Sequence, residues 1–176
     1  MKKNKVLIKG NKIFLRILKQ EDSTNAYLKW LKDPRINQYL ESRWSTQSLT
    51  ILKKYIKKMY NSKNDYLMGV FLLKSNQHIG NIKIGKIDYN NKTAEIGFLI
   101  SAEYSGMGFA TEAVRIAVKF ALKKLKLEYI YGQVIEKNLK SNIIFKKNGF
   151  KKVGLFKNKA KLVNERCNII YFEKLN

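Results

Sequence analysis

The order of periodicities along this chain predicts a single α/β domain of the α+β kind, with helices flanking one mixed, mostly antiparallel sheet. Three observations carry that expectation. Apolar residues recur at helical spacing early in the chain, switch to two-residue alternation through three consecutive segments, then return to helical spacing directly behind a pair of glycines. The 176 residues, 45% of them hydrophobic, suffice for one good core and would be cramped as two. No internal repeat, low-complexity tract or linker interrupts them, so one domain is expected over residues 1–176, with its core in 12–173.

After a short basic leader, KIFLRIL (12–18) alternates as a strand. QEDSTNAYLKWLKD (20–33) follows as a helix, with Asp22 or Ser23 as its cap and Pro34 beyond its end. PRINQYLESRWST (34–46) reads as a polar and aromatic loop. In SLTILKKYIKKMY (48–60), Leu49, Leu52, Ile56 and Met59 share one stripe with lysines opposite, the pattern of an amphipathic helix. The period then shortens: YLMGVFLL (66–73), HIGNIKIGKID (78–88) and AEIGFLI (94–100) are strands joined by the turns SNQ and YNNKT, an antiparallel meander. SGMGFATEAVRIAVKFALKKL (105–125) starts a helix near Gly108 with Ala110, Ala113, Val114, Ala117, Ala121 and Leu125 on one side. EYIYGQVI (128–135) is a further strand, and NLKSNIIFKKNGF (138–150) a helix closed by Gly149 as a C-cap. KKVGLF (151–156) and CNIIYFEKL (167–175) are the closing strands.

Lys and Arg number 36 against 13 Asp and Glu, a formal charge of +23. That excess suits nucleic acid, a membrane surface or a polyanionic small molecule. The lysines nevertheless run through the whole chain beside Asn and Ile, as an AT-rich coding sequence also produces, and net charge speaks of solubility and steering first. No apolar run is long enough to cross a bilayer, and the basic head lacks a sustained apolar region or a small-residue cleavage site, so the expected location is cytoplasmic. Cys167 is the sole cysteine and His78 the sole histidine, which argues against an intrachain disulfide, a metal site and a Ser-His-Asp triad. Cys167 reads as a small core residue, and His78 as a solvent-exposed residue after a turn.

Glycine is unfavourable inside a helix, so Gly106 and Gly108 mark a place where the backbone bends or is approached closely. The first N–H groups of a helix lack intrahelical partners and carry the positive end of its dipole. A loop without Cβ atoms lets a phosphate reach them, which predicts a pyrophosphate seat made of backbone rather than lysine. On the glycines alone, a plain strand-to-helix turn is the simpler reading. No G-K-[ST] follows, which excludes a P-loop, and the preceding strand belongs to a meander rather than to a dinucleotide-binding unit.

The succession of strand, SGMGFATEA, amphipathic helix, strand and NLKSNIIFKKNGF resembles the GNAT superfamily of acetyl-CoA-dependent N-acetyltransferases, especially its ribosomal-protein N-terminal and amino-sugar branch. The family signature Q/R-x-x-G-x-G/A falls on Ser105, Gly106, Met107, Gly108, Phe109 and Ala110, with Ser105 in place of Gln or Arg. A second, close to N-x-x-S-x-x-x-[YF]-x-K-x-G-F, falls on Asn138, Ser141, Phe145, Lys147, Gly149 and Phe150. Phe145 stands where many members carry the tyrosine thought to protonate the leaving thiolate. Its loss is tolerable, because a thiol of reference pKa about 8.5 is already a fair leaving group near neutrality.

The resemblance implies a GNAT-like sheet with splayed central strands, acetyl-CoA as cofactor, and a phosphate cradle at Gly106, Met107, Gly108, Phe109, Ala110 and Thr111. It also implies that the pantetheine arm lies between residues 98–100 and 128–134. There Phe98, Leu99 and Ile100 offer backbone groups to its amides, and one N–H polarises the thioester carbonyl, with Leu99 bordering the reaction. Asn138, Ser141 and Phe145 complete the cofactor contacts in this reading; Asn138 and Ser141 otherwise read as a helix cap and its first turn.

Alternation puts Glu95, Gly97 and Leu99 on one face. Glu95 is therefore the leading base, acting through water on the attacking amine, against the reading of a carboxylate that holds the acceptor or pairs with a lysine. Glu41 is the other contender, in a YLESRW segment that resembles the family's acceptor loop. Tyr39 and Trp44 either wall a sugar or peptide there or pack the first helix, and Arg43 either meets an acceptor phosphate or sits on the surface. Glu112 serves the helix dipole or a core hydrogen bond.

The expected activity is direct acetyl transfer to a primary amine of a small molecule, with a nucleotide-linked amino sugar as the first candidate. N-terminal acetylation of a ribosomal-type protein is the alternative, by an enzyme docked through phosphate contacts. From another class comes a basic nucleic-acid-binding domain without catalysis, against which stands the lack of a localised, aromatic-interleaved basic patch. A homodimer is the remaining partner considered.

Overall fold

The computed structural model describes residues 6–176; the first part of the basic leader, residues 1–5, lies outside the described residues. Among the described residues one eight-stranded sheet has the order β1-β2-β3-β4-β5-β6-β8-β7. The hairpin β1 (Leu7–Lys9) and β2 (Ile13–Ile17) leads through α1 (Asn25–Lys32), α2 (Pro34–Asn37) and α3 (Leu49–Asn61) to the meander β3 (Tyr66–Leu72), β4 (His78–Asp88) and β5 (Thr93–Ile100). Then come α4 (Phe109–Lys123), β6 (Tyr129–Ile135), α5 (Leu139–Lys147), β7 (Lys151–Lys161) and β8 (Arg166–Leu175).

Alternation decides which face each strand buries. Ile13, Leu15, Ile17, Met68, Val70, Ile82, Ile84 and Ile96 belong to the core cluster that also holds α4, whose small residues Ala113, Ala117 and Ala121 let the helix lie close against the sheet. Each fully buried Ile or Leu here contributes about 1.5–3 kcal/mol. On the opposite face a second cluster gathers Leu18, Tyr27, Leu31, Leu52, Ile56, Met59, Leu67 and Phe71, with Leu99 packed against it.

The functional feature of the sheet is where its ladder stops. β5 and β6 are the parallel pair, matched at Thr93↔Tyr129, Ala94↔Ile130 and Glu95↔Tyr131 and no further, while β4 stays paired with β5 as far as Gly80↔Ile100. The two strands part beyond Glu95. Phe145 sits at the parting: a Cβ on Gly132 would lie 2.3 Å from its Cζ and 3.3 Å from the Ile96 carbonyl oxygen. The same ring stacks on Phe172 (5.3 Å between centroids) and meets Phe150 edge-on (4.9 Å).

Several expectations need correction. The helix expected over 20–33 begins only at Asn25, capped by Thr24, whose hydroxyl accepts from the Tyr27 N–H at 3.2 Å. Asp22 is no cap for it; its carboxylate takes two 2.7 Å bonds from Arg16 and one from the Lys19 N–H, which folds Gln20–Asp22 into a separate 3-10 turn. The expected loop 34–46 contains α2, with Asp33 capping and Pro34 in the first turn, and a 3-10 turn at Glu41–Trp44. The last hairpin is longer than the apolar pattern showed, and β1 falls in what read as leader. α4 ends at Lys123, two residues short of Leu125.

Candidate active site

The strand-to-helix turn has the geometry of an open cradle. Gly106 (φ 85°) and Gly108 (φ 84°) both adopt the left-handed conformation, and a Cβ built on either would meet nothing within 4 Å. The glycines are needed for the backbone turn, and the space beside them is free for a ligand. Gly108 is the N-cap of α4 and no side chain caps the helix, so the N–H groups of Phe109, Ala110 and Thr111 open toward that space. Met107 is exposed at the rim. One cation is present that the sequence reading missed: the Lys140 ammonium donates to the Ser105 hydroxyl at 3.2 Å. It stands where the family signature carries Gln or Arg, and only the fold brings α5 to that loop.

From this mouth the parted edge of β5 runs back to Glu95. Lys92 accepts from β6 through its carbonyl, and the Ile96 carbonyl also faces Gly132, whereas the Ser101 N–H bonds to Ile79 on the β4 side. Strand alternation therefore turns the backbone of Phe98 and Ile100 toward the cleft and that of Leu99 toward β4. A cleft-facing N–H at this level belongs to Phe98 or Ile100, and Leu99 contributes its side chain on the opposite cluster. Exposed backbone on one edge, together with three uncapped N–H groups at the helix mouth, fits a ligand with amides and a diphosphate. At α5, Asn138 Oδ1 accepts from the Ser141 N–H at 3.1 Å, so that oxygen serves as the helix cap. Phe145 is 2% exposed and forms the floor of the parting.

Glu95 emerges on the face shared with Leu99 and Gly97, and its Oε2 lies 2.5 Å from the Lys86 ammonium. The hydrogen bond that the ammonium donates to Glu95 raises the Lys86 pKa against the effect of burial, and the charge of Glu95, followed by those of Tyr131 and Glu41, adds to the rise. Of the two carboxylates expected at the site, Glu95 forms an ion pair with this lysine. Tyr131, paired in register with Glu95, stacks on Tyr171 at 5.3 Å, and Phe156 meets Tyr171 edge-on. Burial, and then the neighbouring charges, raise both phenols.

The segment 39–44 is tied across the sheet. The Tyr39 hydroxyl donates to the Lys137 carbonyl at 3.4 Å, beyond the end of β6. Arg43 donates to the carbonyls of Leu40 (2.5 Å) and Lys161 (2.6 Å) and lies 4.8 Å from the Trp44 ring. Trp44 is 56% exposed, so it is not buried against the first helix.

Three residues outside the expected site complete the account. His78 is not an exposed turn residue: its ring stacks on Phe71 (4.7 Å), meets Trp30 and Tyr27 edge-on, and is 2.9 Å from Asn81 Oδ1. The bulge opposite Val70 and Phe71 turns it inward, which one-strand periodicity does not reveal. Glu112 accepts from the Asn11 and Lys12 N–H groups, anchoring the first turn of α4 to the β1–β2 hairpin. Cys167 is buried, as expected.

The family model described as an acetyltransferase (GNAT) domain matches residues 12–151. A protein of Bacillus subtilis named "Probable N-acetyltransferase YjcK" is 26% identical over 166 residues, 89% of this chain and 90% of its own. Spermidine N-acetyltransferase from Vibrio cholerae, solved with CoA and spermine, superposes with a TM-score of 0.86 at 20% identity, covering 94% of this chain and 96% of that one. RimL, a ribosomal L7/L12 alpha-N-protein acetyltransferase solved with coenzyme A, reaches a TM-score of 0.88 at 15% identity, covering 97% and 98%. At those identities the two structures share the fold with this chain.

Proposed function

Because this chain belongs to the GNAT acetyltransferase family, we propose that it moves an acetyl group from acetyl-CoA directly to a primary amine of a small molecule, with Glu95 as the base. One observation carries this reading: the β5–β6 ladder ends at Glu95, so the parted edge at Phe98–Ile100 leads from that residue toward the open turn at Gly108. Acetyl-CoA supplies the acyl group as a thioester. The Phe109, Ala110 and Thr111 N–H groups hold its phosphates, with Lys140 alongside, and the Phe98 and Ile100 backbone aligns its amides. A cleft-facing N–H donates to the carbonyl oxygen as negative charge develops there. Glu95 receives the proton of the attacking amine through water. Phe145 offers no acid, so the thiolate departs without a proton from this residue.

For the acceptor, a nucleotide-linked amino sugar draws support from Tyr39 and Trp44 as walls. Arg43, the group expected to meet its phosphate, has both terminal nitrogens committed to carbonyls, which weakens that choice. A cationic amine is the second reading, favoured by the pairing of Glu95 with an ammonium and by the fold shared with an enzyme named for spermidine. The test is thiol release from acetyl-CoA across amino sugars, nucleotide-linked amino sugars, polyamines and N-terminal peptides. Release with one class, abolished by Gly108→Trp, is the expected result. No release with any class, together with no CoA-induced thermal shift, overturns it.

A further inference from the structure

On this face of the sheet the Lys86 ammonium pairs with Glu95 of β5, whose register partner Tyr131 of β6 stacks on Tyr171 of β8. The charge of Glu41 acts on the same ammonium. Carboxylates beside aromatic rings form a chemistry suited to cations. The occupant is unlike its neighbours in two respects. Lys86 holds φ at 50°, a left-handed conformation unfavourable for a non-glycine residue, at the point where the β4–β5 register shifts between Gly85 and Asp88. Its side chain is 65% exposed against 26% for Glu95, so the lysine can swing into solvent while the carboxylate stays. A pair this exposed adds little to stability, which makes it exchangeable.

By contrast, Lys83, three residues earlier on the same strand, pairs at 3.0 Å with Asp65, whose carboxylate is also held by the Ser62 hydroxyl. That pair ties β4 to the segment between α3 and β3.

We propose that the Glu95–Tyr131–Tyr171 cluster is the seat of the acceptor's ammonium group and that Lys86 is its built-in occupant, displaced when a cationic amine binds. The inference rests on the reading of the chain as an acetyltransferase of primary amines. Such amines, with reference pKa near 10.4, arrive protonated at neutral pH, as the lysine ammonium does. Lys86 is then a specificity-determining residue: it sets a threshold that only an amine seated more favourably than its own side chain overcomes.

The experiment compares wild type with Lys86→Met, Lys86→Gln and Lys86→Arg, using 1,4-diaminobutane and spermidine as acceptors and thiol release as the readout. Removing the competitor is expected to lower KM for both amines about three- to fivefold, the equivalent of an exposed ion pair. The effect falls on KM for the amine and leaves KM for acetyl-CoA unmoved, and Lys86→Arg restores the wild-type value. An amine KM unchanged or raised in both neutral variants overturns the inference while leaving the acetyltransferase reading intact. If wild type releases no thiol with any amine, that reading fails. Calorimetric binding of 1,4-diaminobutane to the CoA-loaded protein then decides the inference: tighter binding by Lys86→Met and Lys86→Gln supports it, and equal binding overturns it.

Discussion

Gly132 and Phe145 are fitted to each other, the ring of one filling the space where the other lacks a Cβ: an added methyl would sit 2.3 Å from Phe145 Cζ and 2.4 Å from Cε1. The ring is already held by Phe172 on one face and Phe150 at its edge, so it has nowhere to retreat. Gly132→Ala should therefore destabilise the protein by about 1–3 kcal/mol, the usual range for overpacking. Chemical denaturation measures this directly. A change within about 0.5 kcal/mol would mean that the ring repacks freely and does not define the parting of β5 and β6.

The para carbon of Phe145 is the atom nearest Gly132, beside the Ile96 carbonyl that faces the same gap. A hydroxyl added there by Phe145→Tyr extends the ring from that carbon at the parting of β5 and β6. We expect a folded enzyme and a kcat raised by up to about a hundredfold, the lower end of general acid catalysis, with KM for acetyl-CoA unchanged. Steady-state kinetics at several pH values test this. An unaltered kcat would show that thiolate departure does not limit turnover.

How much of this was legible in the sequence depends on how far each residue's partners lie along the chain. The meander, α3 and α4 follow from periodicity, because their buried faces repeat at fixed spacing and need no knowledge of a partner. The turn at Gly106 and Gly108 was legible for the same reason: positive φ is a local demand. Lys86 and Lys140 were missed. Their significance comes from contacts with Glu95 and Ser105 across strands and helices, and among so many lysines nothing local distinguishes them. His78 was misjudged because a bulge, invisible in one strand's alternation, reversed its face. Arg43 resembled a phosphate ligand until its carbonyl partners, one of them Lys161 in the distant hairpin, were in view.

Glu95→Gln keeps the shape of the side chain and removes its ability to take a proton. If it is the base, kcat/KM for the amine should fall about a hundredfold near neutrality. The deficit should shrink as pH rises toward the amine's own pKa, near 10, where the nucleophile no longer needs help. A carboxylate that only seats the acceptor would instead raise KM with little change in kcat, and no recovery would follow from alkali. The pH profile of the variant separates the two roles.

His78 should give the fold a pH dependence of its own. Burial among Phe71, Trp30 and Tyr27 lowers its pKa below the ordinary 6.5, even though the Asn81 bond and the Asp22 charge favour the protonated ring and the Arg16 charge opposes it. The unfolded chain therefore binds a proton near pH 6.5 that the folded chain refuses. Its stabilising contribution is complete above that value and declines as pH falls toward the folded pKa, with a slope of at most about 1.4 kcal/mol per pH unit. Asp22 acts in a separate, more acid window. Burial alone would raise its carboxyl, but the bonds from Arg16 and the Lys19 N–H hold it below 3.8, so that contribution is lost only as pH falls through and below that value. Urea denaturation from pH 7 to 5 should show the slope in wild type and its absence in His78→Phe, which keeps the stacking surface and cannot titrate. Equal slopes in the two proteins would place the titrating group elsewhere.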